Sequence, residues 1–309
     1  MSKFTNDKVD LIDRGSGPPL VLIPGLQGRW EYLRPAVDAL SASFRVLTFS
    51  LDDVGADPRV RPGADTRFGP YTGLDRYSDH IAAAMSDLRL ERATICGVSF
   101  GGLIAVRFAA RNPARCDALI LASTPRPALR LRRRHQLYVS APWIFGPLFL
   151  AETPWRLRPE IRAAIPDARA RRQFLRRALR TLFEAPLSLS QMAARARMIP
   201  LVDVGPDCMR ITAPTLVVTG ERDLDHVVPV DGSCEYLRLI PDARAVVLER
   251  TGHLGSITRP DAFAAIVRAF TVDVGADPRA RPLLDDARGA LSSSKGGPTH
   301  RSAPTGRVA

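Results

Sequence analysis

The sequence predicts an α/β protein: a largely parallel sheet covered by helices on both faces, with a helical segment inserted between two strands. Three observations carry this reading. Short apolar runs alternate with amphipathic stretches through the first 124 residues, the alternation breaks over residues 125–205, and it resumes as far as about Phe270. Strands that alternate with helices build parallel sheets, because each crossover needs a helix to return the chain.

In chain order, Val9–Ile12, Leu20–Pro24 and Arg45–Leu51 are short, apolar or β-branched, and bounded by Gly, Pro or Asp, which predicts strands. Leu33–Leu40 and Tyr77–Leu88 read as helices; in the second, Tyr77, Ile81, Ala84, Met85 and Leu88 share one face. Ala93–Cys96 predicts a buried strand running into Gly97, and Phe100–Ala110 a helix stopped at Asn112-Pro113. Ala118–Ala122 is the next strand. Beyond the break follow strand Thr215–Thr219, helix Cys234–Leu239, strand Ala245–Leu248 and helix Ala262–Phe270.

Residues 125–205 are helical in pattern and rich in Arg and Pro. The clearest helix, Ala168–Phe183, sets Phe174, Leu175, Ala178, Leu179, Leu182 and Phe183 on one face and Arg169, Arg172, Arg176 and Arg180 on the other. An insertion over the C-terminal edge of a parallel sheet lies where such sheets bind ligands, so a cap is expected, with 1–124 and 206–271 as the core. The apolar cluster Leu137-Tyr138-Val139, Trp143-Ile144-Phe145 and Leu148-Phe149-Leu150 is expected to be mainly the cap's own packing, with pocket lining as the other reading. A tail is expected from residue 272, and Leu291–Ala309, dominated by Ser, Gly, Pro and Thr, is expected to be disordered. Asp53–Pro62 recurs as Asp273–Pro282 with one change, Ala280 for Val60. Ten residues are too few for a repeat fold, and the turn-rich composition reads as a duplicated exposed loop.

The chain of 309 residues carries a formal charge of +12. Residues 125–200 hold 16 basic and four acidic side chains, which accounts for the whole excess. That distribution argues against a nucleic-acid binder with a basic surface throughout. The run Arg130-Leu131-Arg132-Arg133-Arg134 is expected to be a solvated helix face rather than an anion or membrane-surface site, since 41 arginines against three lysines mark a general bias. No apolar run approaches the ~20 residues of a membrane-spanning helix, and residues 1–8 have no apolar stretch of secretory type. Cys96, Cys116, Cys208 and Cys234 lack paired spacing, so they read as inert thiols of a reducing cytoplasm, with no metal site.

The strongest chemical signal is Gly97-Val98-Ser99-Phe100-Gly101-Gly102 between a strand and a helix. In a G-x-S-x-G turn the serine is lifted clear of the sheet and the glycines let backbone pass close by. A serine hydroxyl needs a base, and the base an orienting acid. Of five histidines, His80 lies in a helical stretch, His135 in the basic run, His300 in the tail and His226 in a loop. His253, in Thr251-Gly252-His253-Leu254, directly follows a strand late in the chain, where the base of such a set belongs. The acid should fall between them, and Gly220-Glu221-Arg222-Asp223-Leu224-Asp225-His226-Val227-Val228-Pro229 offers Asp223 and Asp225.

These residues resemble the α/β-hydrolase superfamily over residues 9 to about 271. The resemblance rests on the serine turn, the acid loop, Gly252-His253, and Pro24-Gly25-Leu26-Gln27-Gly28 after the strand Leu20–Ile23. It implies an oxyanion hole from the backbone N–H groups of Leu26 and Phe100. Pro24 stands where the family usually has a histidine, so side-chain support of that hole is lost while its backbone donor is kept. The family's acid loop commonly reads Gly-x-x-Asp-x-x-Val-Pro, and here the loop is two residues longer. Counting from Gly220 selects Asp223; counting back from Val228-Pro229 selects Asp225, which is preferred because the turn into the next helix fixes it more tightly.

The resemblance implies acyl transfer by Ser99 with His253 as base, on an ester, lactone or related small carbonyl substrate, with neither metal nor organic cofactor. The serine disfavours the family's epoxide hydrolases and dehalogenases, whose nucleophile is aspartate. A non-catalytic receptor on the same fold and a C–C bond hydrolase acting on a dicarbonyl compound are the alternatives. The partner expected is a small-molecule substrate, not nucleic acid.

Overall fold

A computed structural model of the chain describes residues 2–6, 9–51, 73–129, 136, 138 and 140–276. The strands are β1 (Ser2–Asn6), β2 (Val9–Arg14), β3 (Pro19–Ile23), β4 (Arg45–Thr48), β5 (Ala93–Val98), β6 (Cys116–Ala122), β7 (Thr215–Thr219) and β8 (Ala243–Val247). They form one sheet in the order β1-β2-β4-β3-β5-β6-β7-β8. From β4 to β8 neighbours pair in parallel, while β2 pairs antiparallel with both β4 and β1. The fold class read from the alternation is the one observed, with β1 as an added edge strand.

Strands β5 and β7 are buried along their whole length, as a sheet covered on both faces requires. The pleat sends alternate side chains to two separate cores. Val21, Ile23, Ile95, Leu119 and Val217 pack on one face against α2 (Gly73–Asp87) and α3 (Phe100–Arg111), through Ile81, Met85, Leu103 and Phe108. Leu20, Leu22, Val46, Cys96, Ile120 and Leu216 pack on the other against α1 (Arg34–Leu40) and the C-terminal helix Pro260–Ala276, through Val37, Leu40, Phe263 and Val267. None of the four cysteines is in a disulfide, and burial pushes the Cys96, Cys116 and Cys208 thiols up to about 12.

Three expectations shift at their edges for tertiary reasons. The strand expected to reach Leu51 ends at Thr48, because the Leu51 N–H turns away to donate to the Gly28 carbonyl at 2.6 Å. The helix expected at Cys234–Leu239 is two short turns, Val230–Ser233 and Tyr236–Leu239; Ser233 Oγ donates to Thr124 O at 2.6 Å and Tyr236 Oη to Pro125 O at 2.7 Å, drawing both onto the end of β6. Residues 272–276, expected to belong to a tail, are instead the end of the last helix, which runs to Ala276 with Asp273 paired to Arg244. That helix takes in the first four residues of the second Asp-Pro-Arg copy. The first copy, Arg130–Arg134 with Leu137 and Val139, and Leu291–Ala309 lie outside the described residues.

Between β6 and β7 the chain forms α4 (Pro142–Ala164), α5 (Ala168–Glu184), α6 (Leu189–Met198) and the single turn α7 (Gly205–Cys208). Asp167 caps α5 by accepting the Ala170 N–H at 2.7 Å, and Ser188 caps α6 through the Gln191 N–H at 3.3 Å. The helix predicted at Ala168–Phe183 is therefore present, but its apolar face is not packed: no residue of α5 is buried.

A buried ion cluster ties α2, α3 and α7 together. Arg107 Nε lies 3.1 Å from Asp207 Oδ2, Arg107 Nη1 lies 3.8 Å from Asp75 Oδ1, and Arg111 reaches Asp75 and Asp79 at 3.4 and 2.8 Å. Burial drives Asp207 up to about 6 against the pull of Arg107. Removing one partner of such a cluster leaves uncompensated charge in a low dielectric. Arg107→Leu is therefore expected to lower the unfolding free energy by about 3–5 kcal/mol, measured by urea denaturation; a loss under about 1 kcal/mol would show that solvent already screens the cluster.

Candidate active site

Ser99 joins β5 to α3 with φ 55° and ψ −121°, a conformation side chains rarely adopt. The turn is fixed on both sides: the Ser99 N–H donates to Ala122 O at 2.8 Å and the Gly102 N–H to Ser99 O at 2.9 Å. A Cβ on Gly101 would lie 2.4 Å from the Ile23 carbonyl oxygen, and one on Gly97 would lie 2.3 Å from that of Gly101. Only glycine lets the first turn of α3 sit this close to β3. Phe100 opens that turn, so its N–H has no partner within the helix.

His253 lies in the loop after β8, and its Nε2 stands 3.1 Å from Ser99 Oγ. The loop is held by backbone packing against the loop after β7: a Cβ on Gly252 would meet Leu224 O at 2.3 Å, and the Glu221 N–H donates to Thr251 O at 2.7 Å. Asp225 is brought beneath the ring, with Oδ2 3.5 Å from His253 Nδ1, long for a hydrogen bond, as such contacts often are before substrate binds. Its Oδ1 accepts the Val227 and Val228 N–H groups at 2.9 and 2.8 Å. Burial alone would raise the Asp225 carboxyl, but His253 and these two N–H groups hold it below its ordinary value.

The structure thus separates the two carboxylates that the sequence leaves open. Asp225 is buried against the imidazole, whereas Asp223 is exposed on the outside of the same loop. The two extra residues are taken up in the turn Glu221–Asp225, where the Leu224 and Asp225 N–H groups both donate to Glu221 O at 3.1 Å. The Val-Pro end stays in place because the Asp225 carboxylate caps it. Of the other histidines, His80 is buried edge-on to Phe49, at 4.6 Å between ring centroids, and His226 is exposed.

Two charged residues of the inserted helices reach the same loops, and nothing in their sequence context marked them. Glu160 of α4, 1% exposed, accepts the Leu254 N–H at 2.6 Å beside His253. Burial raises its carboxyl to about 6, against the downward pull of the Gly252 and Leu254 N–H groups and His253. Arg195 of α6, also 1% exposed, donates from Nη1 to the Leu26 carbonyl at 2.7 Å, and burial lowers it to about 10. Its guanidinium fills the space a side chain on Gly28 would need, at 2.3 Å. The signal was available only as charge inside otherwise amphipathic helices.

Ser99, His253, Leu26 and Phe100 open onto one cavity of about 270 Å³. Its far walls come from the segment inserted between β6 and β7, through Tyr138, Leu157, Leu189, Met192, Ala196 and Ile199. Thr153 and Arg156 add polar groups, and Arg156 Nη2 also donates to His226 O at 3.3 Å. Leu26 follows β3, Ser99 β5, Asp225 β7 and His253 β8, so all four stand at C-terminal ends of parallel strands, where open α/β sheets bind ligands.

A RutD protein of Pseudomonas syringae pv. syringae (strain B728a), named as a carbamate hydrolase, is 27% identical over 266 residues, 82% of this chain and 93% of the relative. The 2-hydroxy-6-oxo-2,4-heptadienoate hydrolase of Pseudomonas putida (strain F1) is 27% identical over 274 residues, 85% of this chain and 92% of its own. The crystal structure of the enol-lactonase from Burkholderia xenovorans LB400 superimposes with a TM-score of 0.62 at 25% identity, covering 85% of this chain and 97% of that one. The model of the alpha/beta hydrolase fold matches residues 18–260, and with this strand order and serine turn, the chain belongs to the α/β-hydrolase fold family.

Proposed function

We propose that this protein is a serine hydrolase that cleaves an ester, lactone or related small carbonyl substrate bearing an apolar acyl or aromatic group, through an acyl-enzyme. The observation that carries the reading is the line Ser99 Oγ, His253 Nε2, Nδ1, Asp225 Oδ2 facing a largely aliphatic cavity. Ser99 Oγ attacks the carbonyl carbon while His253 Nε2 takes its proton, and Asp225 holds the ring and balances the imidazolium. The Leu26 and Phe100 N–H groups receive the developing oxyanion, each donor being worth about 3 kcal/mol of transition-state stabilisation. His253 returns the proton to the leaving oxygen, then draws one from a water that releases the acid. The inserted helices act as a cap that excludes bulk water and selects the acyl group.

A second reading is hydrolysis of a C–C bond next to a carbonyl. It is favoured by curated relatives named for such reactions, among them a 2-hydroxy-6-oxononadienedioate/2-hydroxy-6-oxononatrienedioate hydrolase from Cupriavidus pinatubonensis, 26% identical over 286 residues. The two readings differ in substrate, not in the three residues. Turnover of a dienoate diketone but not of p-nitrophenyl esters would select it.

A panel of p-nitrophenyl esters of increasing chain length tests the main reading. Ser99→Ala and Asp225→Asn are each expected to lower kcat by about 10³–10⁴-fold, and Asp223→Asn to stay within about threefold. A fluorophosphonate probe should label Ser99 in the unaltered protein. Equal ester turnover by the unaltered protein and Ser99→Ala would leave a receptor on this fold as the reading.

The Glu160 carboxyl supplies a pH dependence. Its pKa is raised on folding, from 4.5 to about 6, so the folded state holds the proton more tightly and stability falls as pH rises through that window. With His253 and Asp225 as its titratable neighbours, Glu160→Gln is expected to gain about 2 kcal/mol on the unaltered protein between pH 4.5 and pH 7. Urea midpoints across that range measure it; a constant difference would show that Glu160 titrates normally.

A further inference from the structure

Among the described residues, most of the exposed large apolar side chains lie on the inserted helices, including Trp143 at 74%, Trp155 at 72% and Phe183 at 79%. Helix α5 is anchored at its ends, by the Asp167 cap and by Tyr32 Oη donating to Ala185 O at 2.7 Å with Arg34 paired to Glu184. Between those anchors Leu175, Leu179, Leu182 and Phe183 are exposed along one face; of the six arginines, Arg169, Arg176, Arg177 and Arg180 lie beside or opposite it, and Arg171 and Arg172 flank it in the first turn. Helix α4 has two working sides. Gly146, Thr153, Arg156 and Leu157 face the cavity, while Ile144, Leu148 and Trp155, spaced i, i+4, i+11, form an exposed stripe on the opposite side.

We infer that this surface docks on an anionic phospholipid bilayer. A helix with Leu and Phe on one face, arginine on the other and low overall hydrophobicity is the kind that lies in a membrane interface with its apolar face among the acyl chains. Tryptophan, amphipathic and large, favours the same boundary. The charge decides between occupants: α5 carries six arginines against one glutamate, so a second copy would set arginine against arginine, whereas an anionic headgroup layer neutralises it. No helix of the described residues is long and apolar enough to cross a membrane, so the contact is peripheral. Bilayer contact would cover the outer side of α4 while its inner side lines the cavity, placing the pocket wall one helix away from the lipid.

The inference does not rest on the catalytic reading, because docking needs no turnover. The full chain is mixed with vesicles of phosphatidylcholine alone or with phosphatidylglycerol, then followed by co-sedimentation and tryptophan emission; Trp30 is buried, so the shift reports Trp143 and Trp155. Binding to the anionic vesicles with a blue shift is expected, weaker by about tenfold or more on neutral vesicles or in high salt. Leu179→Glu/Phe183→Glu and, separately, Arg176→Gln/Arg180→Gln should each weaken binding by about tenfold or more with an unchanged circular-dichroism spectrum. Ser99→Ala should bind as the unaltered protein does. Equal binding by both double variants, or no binding to any vesicle, would overturn it. So would a concentration-dependent dimer in light scattering that Leu179→Glu/Phe183→Glu abolishes, which would make a second copy the occupant.

Discussion

The strained turn at Ser99 is the constraint on which the rest of the site depends. A side chain at φ 55° is unfavourable on its own, and it persists because its surroundings leave no alternative. Gly97 and Gly101 bring α3 against β3, the Ser99 N–H is bonded to the end of β6, and the sheet beneath is buried on both faces. The same close approach sets Gly25 beside Ser99, since a Cβ there would lie 3.3 Å from the serine Cβ. One tight crossing therefore positions both the hydroxyl and the two backbone N–H groups proposed to receive the oxyanion.

The inserted helices are joined to this machinery by buried charge rather than by apolar contact alone. Glu160 bonds the backbone beside His253, and Arg195 bonds the carbonyl of Leu26. Each buried ion is costly unless its bonds are made, so each holds its helix in one position over the pocket. The walls between these two anchors are largely aliphatic. The outer side of the same helices is apolar and arginine-rich, so the insertion presents apolar side chains both to the cavity and outward.

Much of this was legible in the residues. Period-two and period-3.6 patterns located the strands and helices of the core, and short-range chemistry located Ser99, because a glycine-flanked serine between strand and helix has a local steric cause. His253 followed from its place after a late strand. Asp225 was only preferred to Asp223, because the choice depends on how a lengthened loop folds its extra residues, which the turn at Glu221–Asp225 decides. The pattern predicts α5 as a helix with an apolar face and an arginine face. The helix is where the pattern put it, but no other element of the described residues covers its apolar face.

The sequence by itself determined the fold class, the order of the core elements and the serine and histidine at strand ends, since each depends on periodicity or on a local turn. Tertiary structure alone decided which aspartate meets the imidazole, that Glu160 and Arg195 are buried against the backbone of the loops carrying His253 and Leu26, and that α5 leaves its apolar face open. These depend on which distant segments come together: His253 is 28 residues from Asp225, Leu254 is 94 from Glu160 and Leu26 is 169 from Arg195, separations that leave no local pattern to read.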